Sequence, residues 1–293
     1  MKTTRTTKRL AASMLAVATV AGASLAALPQ AQAQSAAYVS FGDSVPANPK
    51  QFQIFSNVLK DETFDEVFQI PEVPENRCAQ GEVNYPNSLS QLTGLPVANF
   101  ACSGSTGGEG LTGNNFSLQV DQALAENALD ANTQLVTVMF GFNDVYQQRW
   151  NPDLTLEDLK AGFVSDMNAQ IARVRQAAPN AHIQLVGYHE LGDGQKNICP
   201  TNTFGVVSHV YMPIVPMTQK VTRELLQQIA VESNISFVDM STDINPANNN
   251  NDCGTGERML AAYLDDQPHN LWFHLTDAGS QHYAQRLFEE YTS

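Results

Sequence analysis

Four short segments of the 293-residue chain carry residue types that together can perform acyl transfer. They are Gly42-Asp43-Ser44, Ala101-Cys102-Ser103-Gly104, Gly141-Phe142-Asn143-Asp144 and Phe273-His274-Leu275-Thr276-Asp277-Ala278-Gly279. A serine becomes a nucleophile only when a base removes its proton, and imidazole is the usual base near neutral pH. Ser44 and His274 are therefore the candidate nucleophile and general base. The tetrahedral intermediate needs hydrogen-bond donors around its oxyanion. The backbone N–H groups of Ser44 and Gly104 and the carboxamide of Asn143 can supply them. Each residue alone has a plainer reading: a turn at Gly-Asp-Ser, a turn glycine at 104, a turn cap at Asn143, a satisfied surface histidine at 274. Their order, each just past a strand or before a helix, argues for chemistry.

The elements that must position them follow from short apolar runs alternating with helical patterns. Tyr38 to Phe41, Val97 to Phe100, Gln134 to Phe140, His182 to Gly187 and Ile235 to Val238 predict five strands. Thr155 to Ala177 places Leu159, Phe163, Met167, Ile171 and Val174 at helical spacing, and Met212 to Glu232 and Asp277 to Tyr291 are similar. Strand and helix in alternation predict a three-layer α/β/α fold around a central, mostly parallel sheet. Such sheets collect ligands at the carboxyl ends of their strands, where three of the four segments lie. The long connections Val45 to Glu82 and Asp239 to Asn270 are expected as excursions above the sheet.

With those segments in place, the chain resembles the SGNH (GDSL-type) hydrolase superfamily, esterases and lipases on a flavodoxin-like fold. The resemblance runs from Tyr38 to about Phe288 and implies Ser44 as nucleophile, Gly104 and Asn143 as oxyanion donors and His274 as general base. Asn99-Phe100-Ala101-Cys102-Ser103-Gly104 and Val186-Gly187-Tyr188 further resemble the secreted, disulfide-bonded bacterial lipase/esterase branch. One position departs. Most of the family carries an aspartate three residues before the histidine, and here that position is Leu271. The expected substitute is the backbone carbonyl of Leu271, giving a Ser–His dyad. Asp266 or Asp265, swinging in from the preceding loop, is the alternative, and a weakened site is the third. His189 and His269 lack the Thr-x-x-Gly that follows His274 and are expected to be structural or pocket-lining.

The four cysteines, Cys78, Cys102, Cys199 and Cys253, form no C-x-x-C pair, so zinc and thioredoxin-type sites lose support. Of three possible pairings the local one, Cys78–Cys102 with Cys199–Cys253, is expected; the resemblance supports its first bridge. Lys2, Arg5, Lys8 and Arg9 precede an uncharged stretch from Leu10 to Leu28 and the small-residue pattern Ala31-Gln32-Ala33. That pattern predicts a secretory signal peptide over 1–33, cleaved before Gln34, and one catalytic domain over 34–293. Oxidising surroundings then suit the disulfides.

Sixteen basic against thirty acidic residues, a net charge of −14, exclude a nucleic-acid binder and attraction to an anionic membrane. No later stretch is apolar enough to span a membrane. Asp43 and Asp144 are expected to hold their loops, the acidic stretch Asp61 to Glu75 to be a solvated face or part of a lid, and Trp150 and Trp272 to line the site. The run Asn248 to Asp252 lacks the spacing of a calcium loop and reads as a polar loop. The expected protein is a monomeric, exported or envelope-associated serine esterase or lipase that needs no metal or cofactor and meets an ester of a lipid, glycolipid or acylated carbohydrate. An acyltransferase with the same acyl-enzyme and a catalytically silent envelope-binding protein are the alternatives.

Overall fold

The β-branched and apolar runs pair side by side into one buried sheet. The computed structural model describes residues 36–59, 73, 77–109, 113–148 and 155–293. The expected leader over 1–33 and Trp150 lie outside the described residues, as does the stretch from Asp61 to Glu75 apart from Val73. The central strands are β1 (Tyr38–Gly42), β2 (Val97–Asn99), β3 (Leu135–Met139), β4 (His182–Val186) and, after four short strands described below, β9 (Ser236–Val238). All four pairings are parallel, in the order β2-β1-β3-β4-β9. The sheet is thus wholly parallel where a mostly parallel one was expected. A flavodoxin-like order reverses direction beside β1, and the crevice there is where such sheets bind ligands.

Residues two apart on a strand share a face. Val39, Phe41, Val136, Val138, Ile183 and Leu185 bury one face against Phe116, Phe163, Met167, Leu225 and Ile229. Those partners come from α4 (Phe116–Ala125), α6 (Leu156–Ala177) and α7 (Ile214–Ser233). Tyr38, Leu135, Met139, Val186 and Val238 bury the other face against Leu89, Tyr283 and Leu287, from α3 (Tyr85–Thr93) and α8 (Asp277–Thr292). A sheet covered on both faces needs apolar residues at successive positions, which is why its strands read as continuous runs rather than alternating ones. α6 begins where Thr155 accepts a hydrogen bond from the Asp158 N–H, an N-cap in place of the first helical residue. The remaining helices are α1 (Ser44–Ala47), α2 (Gln51–Leu59) and α5 (Phe142–Gln148).

Four short strands follow β4: β5 (Asn197–Ile198), β6 (Thr201–Thr203), β7 (Val206–Val207) and β8 (Val210–Tyr211). β6 pairs with β7 and with β10 (Leu264–Asp265), and β5 pairs with β8. The two disulfides are Cys78–Cys102 and Cys199–Cys253, the local pairing. No helix among the described residues is long and apolar enough to cross a membrane.

Candidate active site

Ser44 is the first residue of α1, separated from β1 by Asp43 alone. Asp43 caps that helix: its Oδ1 accepts the Val45 N–H at 2.9 Å, and its Oδ2 accepts the Tyr188 hydroxyl. Burial pushes the Asp43 carboxyl up to about 7, with the Tyr188 hydrogen bond opposing the shift. A Cβ on Gly42 would stand 2.5 Å from Pro46 Cγ and 2.8 Å from the Met139 carbonyl, so only glycine lets the chain turn into α1 against β3.

The loops after β2 and β3 flank this turn. Gly104 has φ +79 with open space where a Cβ would stand, a left-handed conformation that glycine adopts without steric cost. Asn143 lies in the first turn of α5 and donates from Nδ2 to the Ser105 carbonyl at 3.0 Å. The neighbouring Asp144 receives the Gly107 and Gly108 N–H groups at 2.9 and 2.8 Å, and burial raises its carboxyl to about 6. Gln119 binds the end of β1 with both ends of its amide, accepting from the Gly42 N–H and donating to the Gly42 carbonyl, each at 2.9 Å. Its Nε2 also lies 3.2 Å from Ser105 Oγ. A hydrogen-bonded path Gly42–Gln119–Ser105–Asn143 therefore ties together the loops that carry Ser44, Gly104 and Asn143.

His274 comes from the other side, on the loop before α8. Its Nε2 lies 2.7 Å from Ser44 Oγ, and its Nδ1 lies 2.8 Å from the Trp272 carbonyl. The carbonyl beside the imidazole is thus that of Trp272 and not that of Leu271. Phe273 has φ +54 and turns the chain back between Trp272 and His274, which brings the nearer carbonyl to the ring. On both sides of that turn the loop pairs with Ala261: the Phe273 N–H donates to the Ala261 carbonyl, and the Ala261 N–H to the His274 carbonyl. Burial lowers the His274 pKa, and the Trp272 hydrogen bond opposes this.

Neither candidate carboxylate reaches the imidazole. Asp265 and Asp266 both bind the guanidinium of Arg258, at 2.6 and 2.7 Å from Nη2. Asp265 also accepts the Ala262 and Gln267 N–H groups, and Asp266 accepts that of Phe204. Their lone pairs are committed to bracing the loop that Arg258 begins, and Arg258 in turn receives the Thr276 hydroxyl on its carbonyl at 2.7 Å.

His189 is buried with Nδ1 2.9 Å from the Tyr283 hydroxyl. Burial, and secondly the charge His274 can carry, push it down to about 3. His269 Nδ1 lies 2.7 Å from the Gln267 carbonyl. The Trp272 ring packs against Tyr263 at 4.9 Å and Phe55 at 5.9 Å between centroids. A cavity of about 550 Å³ opens beside Tyr188 and His189, but neither Ser44 nor His274 lines it. Cys199, His209 and Cys253 gather their ligand-type atoms within 4.8 Å of one another. Both sulfurs are joined in the disulfide, and metal ligation needs a thiolate. The carboxamides of Asn248, Asn250 and Asn251 donate to backbone carbonyls, and Asp252 accepts the Gly192 and Cys199 N–H groups. Gln119, Arg258, the Tyr188 hydroxyl and the Trp272 carbonyl as hydrogen-bond acceptor are the site's unanticipated contributions. Gln119 and Tyr188 act across long sequence separations, Trp272 through its main chain, and Arg258 on acids of an irregular loop.

The arrangement joins a hydroxyl to an imidazole, the imidazole to a carbonyl, and sets backbone and amide N–H groups on the flanking loops. It is competent for nucleophilic attack on a carbonyl and proton relay. The model of the GDSL-like Lipase/Acylhydrolase family matches residues 40–282. No curated protein matches the sequence. Among solved structures, phospholipase A1 from Streptomyces albidoflavus NA297 is similar at TM-score 0.54 and 15% identity, over 89% of this chain and 100% of that one. An extracellular lipase from Streptomyces rimosus is similar at TM-score 0.49 and 17% identity, over 86% and 98%. An acetylxylan esterase from Geobacillus stearothermophilus is similar at TM-score 0.48 and 16% identity, over 87% and 93%. The first of these likenesses carries the shared three-layer fold.

Proposed function

From the premise that the chain belongs to the GDSL-like Lipase/Acylhydrolase family and is a carboxylic-ester hydrolase, we propose that it works through an acyl-enzyme on Ser44 with His274 as general base. The observation that carries this is the 2.7 Å approach of His274 Nε2 to Ser44 Oγ, within the hydrogen-bond reach a general base needs. His274 takes the hydroxyl proton as Oγ bonds to the ester carbonyl carbon. The oxyanion is held by the Ser44 and Gly104 N–H groups and the Asn143 amide. The imidazolium keeps its Nδ1–H on the Trp272 carbonyl, a partial charge in place of a carboxylate. The intermediate collapses as His274 returns the proton to the leaving alcohol. Water then repeats the sequence on the acyl-enzyme and releases the acid. Two disulfides support an oxidising, exported setting, and the reading includes removal of a leader over 1–33 and one catalytic domain over 34–293 working as a monomer.

Hydrolysis of a p-nitrophenyl ester in the presence of an alcohol tests the final acceptor. The free acid should account for nearly all the acyl group released; a product that is mostly the new ester would make the protein an acyltransferase. The pH profile tests the base. His274 must be neutral to accept a proton, and burial holds its pKa below the ordinary histidine value of about 6.5. kcat/KM should therefore rise with pH along an acid limb whose midpoint lies below about 6.5, and a midpoint above 7 would contradict the assignment.

A further inference from the structure

The turn Phe204-Gly205 joins β6 to β7 with φ +49 and +79. Two successive positive φ values define the tight hairpin turn whose first position favours asparagine or glycine. A phenylalanine there is strained, and strain of this kind points to a function. The same Phe204 is 90% exposed. The hairpin around it is nonetheless rigidly built. The Phe204 N–H is held by Asp266, the Asn202 carbonyl by Arg258, and the Asn202 amide by the Asp252 and Gly254 carbonyls. The Cys199–Cys253 bridge closes its base.

Opposed residues on paired strands share a face. The register sets Asp265 beside Asn202 and both point inward, buried. Leu264, Thr203 and Val206 then point outward, and Val206 is 62% and Leu264 55% exposed. Tyr263, just before β10, is 49% exposed and packs on Trp272, two residues from His274. Exposed apolar side chains thus lie at the hairpin tip, on β7 and β10 and at Tyr263 beside Trp272, with the Thr203 hydroxyl and the Asp266 carboxylate among them. Large apolar side chains left exposed in one neighbourhood mark an interaction site. The packing of Tyr263 on Trp272, whose carbonyl meets the His274 imidazole, argues for the substrate phase itself as the occupant. The net charge of −14 disfavours an anionic surface.

We propose that Phe204, Val206, Leu264 and Tyr263 seat the protein on the surface of a zwitterionic or neutral lipid aggregate and so bring its esters to Ser44, an inference that rests on the acyl-enzyme mechanism above only for the last step. Aromatic and aliphatic side chains at a hairpin tip enter the headgroup region and gain by leaving water. The test is co-sedimentation of the full chain with vesicles of dialkyl-ether phosphatidylcholine, which cannot be hydrolysed. Phe204→Asn suits the left-handed turn, so loss of binding would not reflect unfolding. It should raise the lipid concentration for half-binding about tenfold or more, and Leu264→Thr should weaken binding further. Phosphatidylglycerol vesicles should bind the wild type less than phosphatidylcholine ones. Turnover of a dissolved short-chain ester by Phe204→Asn should stay within about twofold; since vesicle binding needs no turnover, failure of the mechanism would leave it intact. Equal sedimentation of wild type and Phe204→Asn would overturn the proposal. So would a dimer that Phe204→Asn dissociates while vesicle binding is unchanged, which would make these side chains a contact between copies.

Discussion

Ser44→Ala is expected to lower turnover of a dissolved ester by about 10⁴-fold or more, a loss of about 5.5 kcal/mol of transition-state stabilisation. The Ser44 hydroxyl has His274 as its hydrogen-bond partner, so its removal deletes the nucleophile and leaves the turn that Asp43 caps in place. Circular dichroism and melting temperature should match the wild type. His274→Ala should approach the same loss, because attack needs nucleophile and base together, and the double mutant should be little worse than either single one. A folded Ser44→Ala protein that kept activity within a hundredfold would remove Ser44 from the mechanism.

Arg258→Met should act on stability first. Arg258 and Asp265 are almost wholly buried, with side chains 5% and 0% exposed. Removing one partner of a buried pair strands the other charge and costs about 3–5 kcal/mol. For a domain of this size that is a fall in melting temperature on the order of 10 °C. The loop that pairs with His274 at Ala261 starts from this arginine, so the loss should also loosen the imidazole. Asp265→Asn and Asp266→Asn should behave differently from loss of a catalytic acid. Each should keep activity per folded molecule within about tenfold, and Asp265→Asn should melt earlier. A thousandfold loss in either, at unchanged melting temperature, would mean that the acid reaches His274 during turnover and that the site is a displaced triad.

The parts legible in the sequence share a physical reason. Ser44, Gly104 and Asn143 each follow a short strand rich in apolar residues, and a parallel sheet puts such positions on one edge. The pairing of Cys78 with Cys102 was readable as a local loop. The acceptor for His274 was harder, because the choice between the Leu271 and Trp272 carbonyls depends on the backbone angle of one residue, Phe273, which its side chain does not announce. The pull of Arg258 on Asp265 and Asp266 hid for another reason: irregular loops have no period, so two acids near a histidine look available until their donor is located. Gln119 reaches Gly42 across 77 residues, and Tyr188, visible in Val186-Gly187-Tyr188, reaches Asp43 across 145, distances over which no local pattern marks the bond itself. The β6–β7 hairpin is too short to show an alternating run, and its strained Phe204 breaks the turn signal that would have marked it.

In the proposed mechanism Ser44 is a nucleophile activated by His274. A fluorophosphonate that reports activated serines, followed by intact mass and peptide mapping, tests it most directly, since the adduct forms only on an oxygen that a base has made nucleophilic. One adduct per chain, on Ser44, absent from Ser44→Ala and strongly slowed in His274→Ala, is the expected result. An adduct on another residue, or labelling undiminished in Ser44→Ala, would contradict it.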